Sequence, residues 1–214
     1  MPAPSSTPDL AAPSADPPRR GPGRPRAFDM DVALDKALLV FRERGYNATS
    51  VSDLAEAMGL ATGSLYKAFT DKRGVFLAAF AHYERRRRAE LQGLMDPEPT
   101  GFGKLRALLH SYAELSHDRE GQRGCLVTGT ANELATLDPE MAAQVRATVA
   151  RTEAAIRDLL RLGQVDGTLS AALDIDAAAR LLLSVLQGFR VVGKLGRARD
   201  EMVAAADQAL RLLA

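Results

Sequence analysis

The chain has 214 residues, 46% of them hydrophobic and 26% charged, enough for one sizeable core or a small module joined to a larger one. Its one cysteine, Cys125, excludes an intrachain disulfide framework and points to a reducing compartment. No apolar run approaches the roughly 20 residues of a bilayer span, and the Pro- and Ala-rich start lacks the hydrophobic centre of a signal peptide, so a cytoplasmic protein is expected.

The net charge of +1 is unevenly spread. Residues 1–90 carry 14 Lys or Arg against 11 Asp or Glu, and residues 91–214 carry 14 against 16. Arg19, Arg20, Arg24 and Arg26 form an acid-free cluster, an electrostatic footprint for a polyanion; a solvated tail is the alternative reading. The first 27 residues, rich in Pro, Ala, Ser and Gly, bury too little to offset the entropy of ordering, and are expected to be disordered when free.

From Asp29 the pattern becomes helical. Val32, Ala33, Ala37, Leu38 and Phe41 recur at helical spacing until Gly45, predicting a helix over 29–44 capped by Asp29. Thr49 and Ser50 precede a short helix over 51–58, with Leu54, Ala55 and Met58 inward and Gly59 ending it. A third helix is expected over 62–69. A long fourth, capped by Asp71, runs from 72 to about 95, where Asp96-Pro97-Glu98-Pro99 stops it. Beyond this hinge, Leu105, Leu108, Leu109, Tyr112 and Leu115 mark one helix. Others are expected over 126–137, 141–162 (interrupted by Gly163 and Gly167), 175–193 and 200–213. No alternating β-branched run and no internal repeat appears. The expected fold class is all-α, with an N-terminal three-helix unit at 28–74 and a larger helical domain at 75–214.

Two short helices joined by a tight turn, beside a basic tail, are the layout of a DNA-reading helix-turn-helix. Val51, Leu54 and Ala55 of the first would pack on Leu65 and Phe69 of the second. The second then presents Thr62, Gly63, Ser64 and Lys67 outward, short polar groups and one cation that can approach base edges. Tyr66 and the hydroxyls of Thr49, Ser50 and Ser52 suit phosphate oxygens, and Lys72 can neutralise one more phosphate. Arg85 to Arg88 lie too far along the fourth helix to reach the same duplex. Their stems are expected to cover apolar neighbours or to pair with Glu84 or acids of another helix.

Thr49-Ser50-Val51-Ser52-Asp53-Leu54-Ala55, Met58-Gly59-Leu60, Gly63-Ser64-Leu65-Tyr66, Phe69 and Asp71-Lys72 together resemble the tetracycline-repressor (TetR) family across residues 32–77. The resemblance implies a dimeric repressor whose N-terminal helices bind double-stranded operator DNA and whose C-terminal helical domain binds an inducer. Two positions depart from the family pattern. Ala61 stands where the reading helix often has a Ser or Thr cap, typically worth about 1 kcal/mol, and Ala68 stands where His or Tyr often precedes the closing Phe. Gly23-Arg24-Pro25-Arg26 resembles an AT-hook core, in which Arg side chains enter a narrow minor groove.

Gly124-Cys125-Leu126-Val127, with Ala131-Asn132-Glu133-Leu134 and Asp138-Pro139-Glu140-Met141, resembles a TetR subgroup carrying a Gly-Cys-Leu element. For some of its members the resemblance implies a response to electrophiles or oxidants through that cysteine. A thiol in the first turn of a helix feels the positive end of the dipole, and Arg123 or Lys194 could add charge. The other reading is an inert, buried Cys125 and an ordinary small-molecule pocket, with Phe102, Tyr112, Leu126, Met141 and Phe189 as candidate lining. The last two helices are apolar on more than one face. Ala178, Leu182, Val185, Leu186, Phe189, Met202, Ala206 and Leu210 are the expected homodimer interface, a four-helix bundle between two copies.

An enzyme is not expected. His82, His110 and His117 belong to no triad, carboxylate dyad or metal-ligand pattern, no phosphate loop is present, and neither cofactor nor metal is implied. A nonspecific architectural DNA-binding protein built around the tail, and a thiol-dependent enzyme, stay open as alternatives on sequence alone.

Overall fold

A computed structural model of the chain describes residues 29–133 and 138–213. Among the described residues all regular structure is helical: α1 Met30–Arg44, α2 Val51–Met58, α3 Thr62–Phe69, α4 Lys72–Met95, α5 Gly101–Glu114, α6 Asp118–Arg123, α7 Leu126–Glu133, α8 Pro139–Val165, α9 Ile175–Val192 and α10 Arg199–Arg211, with a 3-10 turn at Gly193–Leu195 after α9.

Capping chemistry sets most of these starts. Asp29 accepts from the backbone N–H groups of Asp31 and Val32, Ser50 forms a reciprocal capping box with Asp53, and Asp71 accepts from Gly74 N at 2.7 Å. Asp138 and Asp174 cap α8 and α9 in the same way. Ala61 gives α3 no side-chain cap, as its residue type dictates. The turn from α3 into α4 is tight: a Cβ on Gly74 would lie 1.9 Å from the carbonyl oxygen of Phe69, so only glycine fits there.

Three features differ from expectation. Helix α6 was not anticipated, because Asp118–Arg123 contains no apolar residue and so leaves no periodic trace. Gly163 does not interrupt α8; it lies inside the helix, where the backbone of Gly101 comes so close that a Cβ on Gly101 would overlap it. Val32 faces solvent, and Leu34 takes its place in the buried stripe of α1.

Two apolar cores organise the molecule. The first joins Leu34, Leu38 and Phe41 of α1, Leu54 and Met58 of α2 and Leu65 of α3 to Val75–Tyr83 of α4, with Leu126, Val127, Met141 and Val145 completing it from α7 and α8. Phe76 packs edge-on to both Phe41 and Tyr46. The second joins α5, the later half of α8, α9 and α10. Helices α4 and α8 therefore contribute to both cores and connect them.

The expected dimer face requires correction. Ala178, Leu182, Leu186, Phe189, Met202, Ala206 and Leu210 are all buried inside the chain's own second core, and Val185 is half-buried against it. Periodicity cannot tell the inner from the outer face of a helix that is apolar on both sides. The outer face of α9 and the turn after it carries Leu181, Val191, Val192 and Leu195, the last 75% exposed.

Candidate functional site

Helix α3 packs on the rest of the chain through Leu65, which is fully buried, and Phe69, which is partly buried, while Thr62, Gly63, Ser64, Tyr66, Lys67 and Ala68 are all exposed. A whole helix face is thus open, at the extremity of the first core. Its first-turn N–H groups have no side-chain acceptor and point, with the positive end of the helix dipole, to the same side. Such a surface suits a polyanion with readable edges. Ser50 and Ser52 are exposed beside it at the start of α2, although the Ser50 hydroxyl is engaged with Asp53 Oδ2 at 2.7 Å.

Two residues assigned to phosphate contact have other partners. Thr49 is 2% exposed and its hydroxyl donates to Gly45 O at 2.6 Å. Lys72 Nζ donates to Tyr46 O and Thr49 O, both at 3.0 Å, and lies 4.2 Å from the centre of the Tyr46 ring. The ammonium thereby fastens the α1–α2 loop instead of standing free. Arg24 and Arg26 lie outside the described residues.

A cavity of about 350 Å³ opens between α4, α5, α8 and α9, and the start of α7 closes one end. Tyr112, one of the candidate lining residues, and Cys125 both line it. Phe102, Met141 and Phe189 do not: Met141 belongs to the first core, Phe189 to the second, and Phe102 packs on the outside of the second. Leu126 and Lys194 face a smaller cleft of about 150 Å³ beside α1, which Cys125 also borders.

The polar end of the larger cavity brings together Tyr83, Tyr112, Cys125, Arg87 and Arg190. Tyr83 Oη lies 3.7 Å from Cys125 Sγ. Burial pushes both phenols above their ordinary range, so they remain protonated donors. Burial also raises the Cys125 thiol, but the Arg190 guanidinium, hydrogen bonds from Thr128 and the Tyr83 hydroxyl together outweigh it, and the net shift is downward. The cation acting on the thiol is Arg190, not Lys194 or Arg123; Arg123 pairs with Glu43 and Glu120, and the stem of Lys194 crosses Gly124.

Arg190 is 3% exposed and donates to Leu115 O, Ser116 Oγ and Gly124 O. Gly124 O also accepts from Arg42 of α1, at 2.9 Å from Nε and 2.6 Å from the terminal nitrogen. One carbonyl, next to the thiol, is held by an arginine from each end of the molecule. Sequence reasoning missed this clamp and the cavity's two arginines. A lone charge in the apolar stretch of α9 was the available signal for Arg190. Within the Arg85–Arg88 run, Arg86 pairs with Asp35 and Glu90 and Arg87 with Glu90, while Glu84 pairs with Arg151.

Residues 33–79 match the family described as bacterial regulatory proteins, tetR family, and residues 101–209 match the tetracyclin repressor-like C-terminal domain. The chain belongs to the TetR family. It is a DNA-binding transcriptional regulator, not an enzyme. This TetR-family regulator is 29% identical over 195 residues to the HTH-type transcriptional repressor ComR of Escherichia coli K12, covering 91% of this chain and 93% of ComR. It is 31% identical over 170 residues to the transcriptional regulator AcuR of Cereibacter sphaeroides, 76% of each chain. Among solved structures it is similar to a cysteine mutant of the TetR-family regulator CifR in complex with 26 bp double-strand operator DNA, with a TM-score of 0.75 and 35% identity over 88% of this chain and 98% of that one. No helix among the described residues is long and apolar enough to cross a membrane.

Proposed function

We propose that this regulator is a cytoplasmic, homodimeric repressor that binds a palindromic operator through α3 and is released when its cavity is filled. The single observation that carries the first half is the open face of α3, where Thr62, Gly63, Ser64, Tyr66 and Lys67 are exposed together with none of the described residues laid over them. Ser50 and Ser52 flank this face on the backbone side, and Arg24 and Arg26 of the tail are assigned to the adjoining minor groove. The operator complex of CifR supports the same use of the fold. The unit at 28–74 serves as the reading head and 75–214 as the regulatory and dimerisation domain, with 1–27 as a basic arm.

Dimerisation is assigned to the outer stripe of α9, Leu181, Val191 and Val192, continued by Leu195. A twin copy would cover these residues and set two reading helices about one DNA turn, or a multiple of it, apart. Release follows from the Gly124 clamp. A ligand in the cavity that moves Arg190 or the Cys125 segment displaces the carbonyl that Arg42 holds, and Arg42 belongs to the helix on which the head is built. Differential affinity of the ligand for the two head positions then appears as lost operator affinity.

A specific observation also favours a second signal at the same place. The lowered thiol of Cys125, on the cavity wall, is suited to attack a soft electrophile, and the Gly124-Cys125-Leu126 element would then mark a subgroup that senses by covalent modification.

The experiment is binding of the purified protein to palindromic and scrambled duplexes across a salt series. Lys67→Ala is expected to lose preference for one sequence over the other, by about 1–3 kcal/mol. Full discrimination by that variant would overturn the assignment of the reading face. Thermal shifts with electrophiles, compared between wild type and Cys125→Ser, separate the two signals: a shift that survives the substitution removes the thiol from the mechanism.

A further inference from the structure

The charges around the cavity are lopsided. Its lining contains four arginines, Arg87, Arg88, Arg151 and Arg190, against one carboxylate, Glu84, which is already bonded to Arg151 and Thr148; Arg87 is in addition paired with Glu90 from outside the lining. Arg190 is the extreme case. It is almost wholly buried, and its hydrogen-bond acceptors are two backbone carbonyls and a hydroxyl, with no acid among the described residues paired to it. A guanidinium in such a place is held by neutral acceptors but keeps its charge uncompensated in a medium of low polarisability. Arg87, Arg190, Tyr83 and Tyr112 line the same cavity as Cys125, and Tyr83 Oη lies 3.7 Å from Cys125 Sγ. One helical turn along from Arg87 and Tyr112 the lining becomes apolar, with Leu91, Met95, Leu108 and Leu159 forming that wall.

We propose that the effector is an amphipathic carboxylate, its apolar body against that wall and its head group received by Arg87, Arg190 and the two phenolic hydroxyls. The inference rests on the reading of the cavity as the effector site and adds the ligand's chemical class. A planar carboxylate matches the fork of a guanidinium, and phenols held protonated complete its shell of donors. The cavity volume of about 350 Å³ lies at the small end of ligand sites, which span roughly 300–1,000 Å³, so a single short chain or one ring with a side arm fits. The bound head group would also lie over Cys125.

The test uses octanoate and octanamide, which differ in charge and little in shape, with the full-length protein and no DNA. By calorimetry or thermal shift, octanoate is expected to bind at least about tenfold more tightly than octanamide, and Arg87→Gln is expected to erase that preference while octanamide binding is kept. A second measurement needs no variant: alkylation of Cys125 by iodoacetamide, read by whole-protein mass, is expected to slow severalfold with octanoate and not with octanamide. Equal binding of the two probes, binding of neither, or alkylation unaffected by octanoate overturns the proposal. Operator release is scored separately. Octanoate that binds selectively without releasing DNA overturns the role of the cavity in release and leaves the ligand class standing; release by neutral compounds alone does the reverse.

Discussion

Lys72 illustrates how a cation close to a nucleic-acid surface acquires a structural duty. Two of its three N–H groups are given to carbonyls of the α1–α2 loop, and its charge rests on the Tyr46 ring. Hydrogen bonds from a charged donor contribute about 1.5–3 kcal/mol each, less where solvent competes. Lys72→Ala is therefore expected to destabilise the protein by about 2 kcal/mol, lowering the melting temperature by about 4–8 °C. Operator affinity would fall with it, but the slope of affinity against salt is expected to stay within error of wild type, because no phosphate counterion is involved. A slope shallower by about one unit would show that the ammonium does meet DNA. Thr49 and Lys72 take partners within the chain for one reason: residue type advertises what a side chain can bond, and only the fold says which partner reaches it first.

At the scale of elements, the caps explain why so much of the helix order was legible. Asp29, Ser50 with Asp53, Asp71, Asp138 and Asp174 each act within three residues of themselves, so their signals survive in a linear string. What α4 and α8 do for each other was not legible, because it depends on contacts between distant positions. Arg73, at the start of α4, pairs with Asp138 and Glu140 at the start of α8, 65 and 67 positions later. The Arg73 guanidinium, with backbone N–H donors from Met141 and Glu140, holds the Asp138 carboxyl below its ordinary value of 3.8. A carboxylate whose folded pKa is depressed contributes stability that is complete above the unfolded value and is lost as pH falls through the folded one. Asp138→Asn keeps a good helix cap and removes the charge. In acid denaturation the wild type is expected to be the more stable above about pH 4, and the two curves to converge below it. A gap that persists undiminished at pH 2 would assign the effect to capping alone.

For the whole molecule the decisive surface is the one the chain leaves uncovered. Leu181 is 44% and Val191 52% exposed on the same side of α9, while Leu182, Leu186 and Phe189 turn inward. Leu181→Glu is expected to leave the fold intact, since the side chain already meets water, and to shift the protein toward monomer in light scattering. Operator affinity should drop by at least about tenfold, as one head loses its twin. A dimer that survives this change would move the interface elsewhere. The fold class and the helix-turn-helix were readable because both arise from repeating local patterns; the uncovered side of α9 was not, because Leu181, Val191 and Val192 extend its apolar stripe beyond the buried face and the string does not say which part the neighbouring helices take first.

The Gly124 carbonyl carries one more implication, for the modularity of such regulators. Arg42 reaches across 82 positions of sequence to bond it, with its side chain only 5% exposed, so the N-terminal helices are tied to the C-terminal domain by their own residues as well as by the helix that leads out of them. A chimera that exchanged residues 29–71 for a foreign head would read the foreign site yet respond to signals only if the graft brought an arginine to that position. Arg42→Gln offers the simplest version of this experiment: occupancy of the operator and uptake of ligand are expected to persist, with the two events no longer coupled in a gel-shift titration. Ligand-driven release as sharp as in the parent protein would mean that the message travels by another route.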